Sequence, residues 1–448
     1  MKLKFLGAAK IVTGSNFLLT GEKSSVMVDF GMFQGKPEEV GMNLIKPAID
    51  FAMLSAVLIT HAHLDHCGRL PMLLKYGFHG PIFMTEATKA LVELVLYDAA
   101  KLAKEAEVKT VLYTDEDVDE ILKLVKIVEY VKPFEVDEFR VTYLDAGHIL
   151  GSASIVVEET ATKKKVVFSG DLGNSPEPLL FPTQFISHAN VAVVESTYGD
   201  EIHEPRTEMK QFEKIIQKAE REGGTVLIPS FSLQRAQEIL YIFDQLKRDK
   251  KIANETTVFF DSPMAIKATK IFYDYPQLFS KNLQNQTKRD DPFSFPGLVV
   301  CDTMEKSRQI KDFQGTKVII AGSGMMSGGR VIQHAVNFLS DAKTQLVFVG
   351  FQAEGTLGRE IQDGAEKINI WGNWIDIKAE LVDIKTMSAH ADQEQVLSWL
   401  RKIEGLTEVA LVHGEDLPRL VLNEKIHQML PDVKVILPEI NQEIELIL

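Results

Sequence analysis

Short apolar runs closed by glycine, aspartate or histidine recur along most of the chain, and their spacing predicts three stretches of different texture. In the first, residues 17–20, 25–28 and 56–60 read as strands, 71–76 as a short helix and 85–106 as a long one. An acidic helical stretch over 115–131 follows, then strands at 140–144, 153–157, 165–168 and 191–194. The middle alternates strand with helix along most of its length. Helices 207–222, 233–247, 265–273 and 330–339 fall between strands 225–228, 257–260, 298–301 and 317–321, which predicts a parallel sheet covered on both faces. Past residue 358 the pattern alternates as antiparallel strands do, over 368–377 and 380–384. Helix 393–402, strand 409–412, helix 417–429 and a last strand ending 443–448 complete the chain. The expected domains are therefore 1–197, 198–358 and 359–448, an α/β protein whose middle segment interrupts a first domain.

The strand at 56–60 runs directly into His61-Ala62-His63-Leu64-Asp65-His66-Cys67-Gly68. A loop leaving a strand end can aim side chains into a cleft while the strand holds them still. His61 and His63, two apart, point the same way in extended chain and can share one metal ion. Asp65 and His66 do not easily reach round to that ion, and their simplest use is a second one nearby, as in two-metal hydrolases. Thiolates, the usual ligands of structural zinc, are missing except for Cys67. Four further strands end on a ligand type: Asp145 and His148, Asp171, Glu195, and His413. In layered α/β sheets such strand ends line the ligand crevice.

Composition narrows the class. At 448 residues, with 45% hydrophobic and 25% charged positions, the chain is an ordinary globular protein long enough for two or three domains. No apolar stretch reaches membrane-spanning length, and Met1 to Gly7 reads as a strand rather than a leader. Two distant cysteines exclude a disulfide framework and make a cytoplasmic home the expectation. The net charge of −14 argues against a polyanionic substrate until its distribution is seen. Residues 198–358 hold 21 Lys+Arg and 20 Asp+Glu, so the acidity lies outside the middle segment.

H-x-H-x-D-H with His148 and Asp171 resembles the metallo-β-lactamase superfamily. Glu195 in E-S-T-Y-G, His390 in S-A-H-A-D and His413 in H-G-E resemble the extra motifs of its β-CASP branch. That branch includes the cleavage-and-polyadenylation endonuclease subunit and its prokaryotic relatives. The resemblance spans nearly the whole chain and implies an αββα sandwich carrying an inserted, Rossmann-like α/β cap. It implies two Zn2+ ions, His61, His63, His148 and Asp171 holding one, and Asp65, His66, Asp171 and His413 the other. Mn2+ also suits such a nitrogen and oxygen donor set. Asp29, in V-D-F-G, matches a motif that supports the ligands from behind.

The implied activity is RNA hydrolysis by an endonuclease, with 5′-3′ exonucleolytic cleavage, alone or in addition, left open by the sequence. Metal-bound hydroxide is the expected nucleophile, with His390 as general acid, Glu195 orienting it and Asp65 beside them. His413 favours RNA over DNA, since the DNA-processing branch typically carries valine there. Phosphate contacts are expected from Ser388, and from Arg235, Ser323 and Arg330 on two strand-to-helix loops whose N–H groups attract anions. Beyond an RNA substrate, a second copy or a larger RNA-processing complex is the expected partner; no membrane is. Neither a KH-type module before Met1 nor the long C-terminal domain of ribonuclease J is expected. Two rivals stand: a small-molecule hydrolase of lactamase or glyoxalase type, which leaves the cap and His390 unexplained, and a non-catalytic RNA-binding subunit, which leaves the intact ligand set unexplained.

Overall fold

The computed structural model describes residues 1–105 and 111–446, which divide into two compact units, Met1–Ile202 with His390–Leu448, and His203–Ala389. The first unit is built on two seven-stranded sheets. One runs in the order Glu443–Glu445, Lys2–Phe5, Phe17–Thr20, Ser25–Val28, Ala56–Leu58, Ile82–Thr85, Val125–Val128. The other runs Lys434–Ile436, Glu408–Val412, Val191–Glu195, Lys165–Phe168, Ala153–Glu159, Phe139–Asp145, Phe134–Val136.

Strand Val191–Glu195 shows why the sandwich forms. Val191 and Val193 enter the core between the sheets, with Phe5, Phe17, Val28 and Leu58 from the facing sheet. Ala192 and Val194 point the other way, against Trp399 and Leu400 of helix Gln393–Arg401 and Leu422 and Ile426 of helix Asp416–Met429. An unbroken apolar run with period-two side chains can only be satisfied between two layers. Each fully buried valine or leucine contributes about 1.5–3 kcal/mol. Helix Glu86–Glu105 covers strands Ile82–Thr85 and Val125–Val128 on the first sheet, completing the αββα order.

The second unit holds a six-stranded parallel sheet, ordered Leu298–Val300, Thr257–Asp261, Lys317–Ala321, Thr225–Pro229, Thr344–Phe348, Glu380–Asp383. Its helices start and stop on local chemistry. Ser262 accepts from the Ala265 N–H to cap helix Pro263–Asp274, and Gly223, at φ 66°, ends helix Glu208–Glu222 in the left-handed region.

Three expectations change. The acidic helix stops at Leu122 and the chain becomes strand Val125–Val128, because Leu-Val-Lys-Ile-Val fits either period and pairing with Ile82–Thr85 decides it. Only 368–377 forms an antiparallel hairpin; Glu380–Asp383 instead pairs in parallel with Thr344–Phe348. It is the edge strand of that sheet and mostly exposed, and it carries the second unit on to Ala389, some way past the expected boundary at 358. The ends expected at residues 106 and 447–448 lie outside the described residues. No described helix is long and apolar enough to cross a membrane.

Candidate active site

Buried strand Ala56–Leu58 delivers His61, and His63 sits at the head of the one-turn helix Leu64–Cys67 that carries Asp65 and His66. Their side-chain atoms converge. His63 Nδ1 lies 3.1 Å from His61 Nε2 and 3.2 Å from His148 Nε2. Asp171 Oδ2 is 3.4 Å from His61 Nε2 and 3.6 Å from His148 Nε2, and the four ligand atoms all lie within 4.8 Å of one another. Asp65, His66 and His413 form a second such group, with His413 Nε2 3.3 Å from Asp65 Oδ2. Asp171 Oδ1 faces it, 3.2 Å from His66 Nε2.

Neither oxygen of Asp171 has a hydrogen-bond partner among the described residues, although both are buried. A bare carboxylate taken out of water is costly unless a cation meets it. Imidazoles and carboxylates gathered this way are a divalent-metal donor set. Without metal, burial raises the Asp171 pKa, but the surrounding histidines outweigh it and hold the group well below the usual range. Burial drives His61 well down and His63 to about 4, leaving lone pairs for a metal. Burial also disfavours charge on His66, yet Asp171 and Asp29 overcome it and raise its pKa well above normal.

Asp29 lies behind His66. Its Oδ2 accepts from His66 Nδ1 at 2.7 Å and from the Thr60 hydroxyl at 2.8 Å, which turns His66 Nε2 toward Asp171. The Asp29 backbone is left-handed, φ 59°, as is His413 at φ 49°. Such conformations cost of order 1–3 kcal/mol and cluster where side chains must be aimed. Arg69, absent from the sequence reading, holds this loop: its guanidinium lies 4.6 Å from the rings of both Phe30 and Phe33, and Nε donates to the Gly31 carbonyl. Gly31 must be glycine, since a Cβ there would stand 1.6 Å from the Asp65 carbonyl oxygen.

Beside Asp171 stands a second constellation. Buried Glu195, at the end of its strand, accepts from the Leu172 N–H and the Thr197 hydroxyl, and lies 2.9 Å from His390 Nδ1. Burial disfavours charge on His390, but Glu195 and Asp171 raise its pKa to about 9. The ligand-type atoms of Asp171, Glu195, His390 and His413 also lie within 4.8 Å of one another. Glu195 is nonetheless poorly suited to a metal, because hydrogen-bond donors occupy both of its oxygens. Thr197 was within the quoted E-S-T-Y-G, but nothing in a sequence marks which hydroxyl will touch two histidines.

The expected phosphate contacts fall in the second unit, and their arginines are already engaged. Arg235 is buried and pairs with Glu238, which Arg206 also meets at 2.9 Å. Arg330 donates to Asp261 at 2.6 Å and to the Cys301 carbonyl at 2.7 Å, while His334 and Ser307 hold the other Asp261 oxygen. Neither is the exposed phosphate grip that the loop sequence suggested: a guanidinium next to a buried carboxylate pairs with it first. The Ser323 hydroxyl donates to the Gly328 carbonyl inside its own loop, and Ser388 is a buried residue ending a short 3-10 helix. Arg235→Ala should therefore destabilise the second unit by about 3 kcal/mol, low in the range for a broken buried pair because Arg206 remains. Urea unfolding checks this. Unchanged stability with weakened RNA binding would restore the phosphate role.

Comparisons with known proteins bear on the same residues. Residues 11–215 match the metallo-beta-lactamase superfamily, 236–361 the Beta-Casp domain, and 374–438 the Zn-dependent metallo-hydrolase RNA specificity domain. A Thermus thermophilus protein named Ribonuclease TTHA0252 is 37% identical over 426 residues, 95% of each chain. Two Methanocaldococcus jannaschii proteins are each 31% identical: Transcription termination factor FttA, over 93% of this chain and 67% of that one, and an RNase J-like protein, over 92% of each. A crystal structure of an Enterococcus faecalis protein of unknown function covers 99% of both chains at a TM-score of 0.54 and 13% identity, a likeness of fold alone. With the ligand cluster in place and all three family segments matched in order, the chain belongs to the β-CASP branch of the metallo-β-lactamase superfamily.

Proposed function

We propose that this chain is a metal-dependent ribonuclease that hydrolyses RNA phosphodiester bonds, with two zinc ions per chain at the His–Asp cluster. The observation that carries the reading is Asp171, whose two buried, unbonded oxygens face different ligand groups. Divalent ions there would supply a nucleophilic water near neutral pH and offset the charge growing on a phosphodiester.

The chain's own residues do the rest. Leu172 and Thr197 fix Glu195, and Glu195 fixes His390 through Nδ1, so that Nε2 is the nitrogen for proton transfer. A departing sugar oxygen is a poor leaving group and needs that proton. A small-molecule hydrolase would leave the His390–Glu195 pair without work. RNA as substrate is supported by the ribonuclease name of a relative aligned over 95% of both chains, and by the RNA-specificity match over 374–438. A cytoplasmic setting belongs to the same reading, since Cys67 and Cys301 are free, buried thiols.

Incubating the purified protein with labelled RNA and the matching DNA, with and without chelator, tests this. Chelator-sensitive cleavage of RNA in preference to DNA is expected, with two zinc equivalents by elemental analysis. Comparing 5′ and internal labels separates exonucleolytic from internal cuts. Metal-loaded protein that leaves RNA intact would end the proposal.

A further inference from the structure

Thr197 touches three of the groups just described and belongs to none of their roles. Its Oγ1 lies 2.7 Å from Glu195 Oε2, 3.1 Å from His413 Nδ1 and 3.5 Å from His390 Nδ1. A hydroxyl has one proton to give. The Glu195 carboxylate is the nearest and strongest acceptor; the alternative, the His413 carbonyl, is 3.2 Å away. Once the proton faces Glu195, the lone pairs of Oγ1 face His413 Nδ1, and that nitrogen must bring a hydrogen of its own. Its other nitrogen, Nε2, 3.3 Å from Asp65 Oδ2 in the second ligand group, is then the one whose lone pair would meet a metal, taking the place of the hydrogen bond it makes to that carboxylate without one.

We propose that Thr197 is a positioning residue: by donating to Glu195 and accepting from His413 Nδ1, it fixes the tautomer with which His413 meets a metal and ties that histidine to the carboxylate holding His390. The proposal rests on the metal-centre reading above. The backbone makes the arrangement exact in space. Strand Val191–Glu195 lies parallel to Glu408–Val412 with Glu195 opposite Val412, and the Ser196 N–H donates to the His413 carbonyl. Both strands therefore end together, and Thr197, two residues past one end, lies beside His413, the first residue past the other. His413, left-handed at φ 49°, is turned back toward Thr197 rather than continuing its strand.

The test compares Thr197→Val, which keeps the shape and removes the hydroxyl, with Thr197→Ser, which keeps the hydroxyl and removes the methyl. Zinc titration by calorimetry should show the weaker equivalent bound 10–100-fold less tightly in the valine variant, the usual loss when the hydrogen-bond partner of a metal-holding histidine is removed. The tighter equivalent should be unchanged, and the serine variant should bind both within a few-fold of wild type. Wild-type affinities in the valine variant, or a serine variant as weak as valine, would overturn the proposal. Nitrogen-15 NMR of histidine-labelled, zinc-loaded wild type gives a reading independent of folding in either variant. A proton on His413 Nδ1 is expected, and one on Nε2 instead overturns it. Neither readout uses RNA, so failure of the nuclease reading and failure of this one are distinguishable.

Discussion

His390→Ala should keep its metal and lose about 10²–10⁴-fold in RNA cleavage, the usual worth of a general acid. The ring is held for that task. Nδ1 is 2.9 Å from Glu195 and 3.9 Å from Asp171, so the imidazole stands against the metal cluster while Glu195 determines which nitrogen bears which proton. Glu195→Gln should move activity in the same direction by a smaller factor, because the amide still accepts a hydrogen bond but no longer favours the protonated ring. A substrate with sulfur at the leaving position needs little protonation, and on it the His390→Ala defect should largely vanish. Full activity of the variant on ordinary RNA would remove the acid role. Loss of metal would show that His390 is itself a ligand.

Asp171→Asn should bind less than the full metal complement and should no longer gain thermal stability when metal is added. In the wild type each ion present at a hundred times its dissociation constant adds about 2.7 kcal/mol to stability. The substitution keeps the volume and removes the one charge that faces both ligand groups, so the effect falls on both ions rather than on the fold. Calorimetric melting with and without zinc reads it directly. An asparagine variant that binds two equivalents and gains as much stability as wild type would show that the carboxylate is not shared.

Much of this site was legible in the sequence because its residues sit where strand ends put them. The ligand run at 61–66 and the single ligands at 148, 171 and 413 each follow a recognisable apolar strand, and the fold gathers them at one edge. What sequence could not supply was partnership. Arg235 and Arg330 have the right residue type in the right loops, yet each is claimed by a carboxylate that sequence gives no means of pairing with it, Glu238 one turn on and Asp261 across the sheet. Arg69 carries no signal in the sequence, and only packing reveals it buried between two phenylalanine rings. The edge strand Glu380–Asp383 differs from expectation for a related reason: a short strand carries no mark of its direction, and only its partner Thr344–Phe348 makes it parallel.

The interrupted course of the first unit bears on the order in which a ribosome delivers it. Strand Glu408–Val412, which pairs along Val191–Glu195, and strand Glu443–Glu445, which pairs along Lys2–Phe5, emerge only after the whole of His203–Ala389 has been made. At 5–20 residues per second that interval is roughly 10–40 s, during which two sheet edges wait open. The contiguous second unit has all its strands in hand by then. His390 and His413 follow the second unit, so the growing chain holds His61, His63, Asp65, His66, His148 and Asp171 well before the two histidines that the fold sets beside them. A chain assembled this way cannot close its ligand cluster until the second unit has been made.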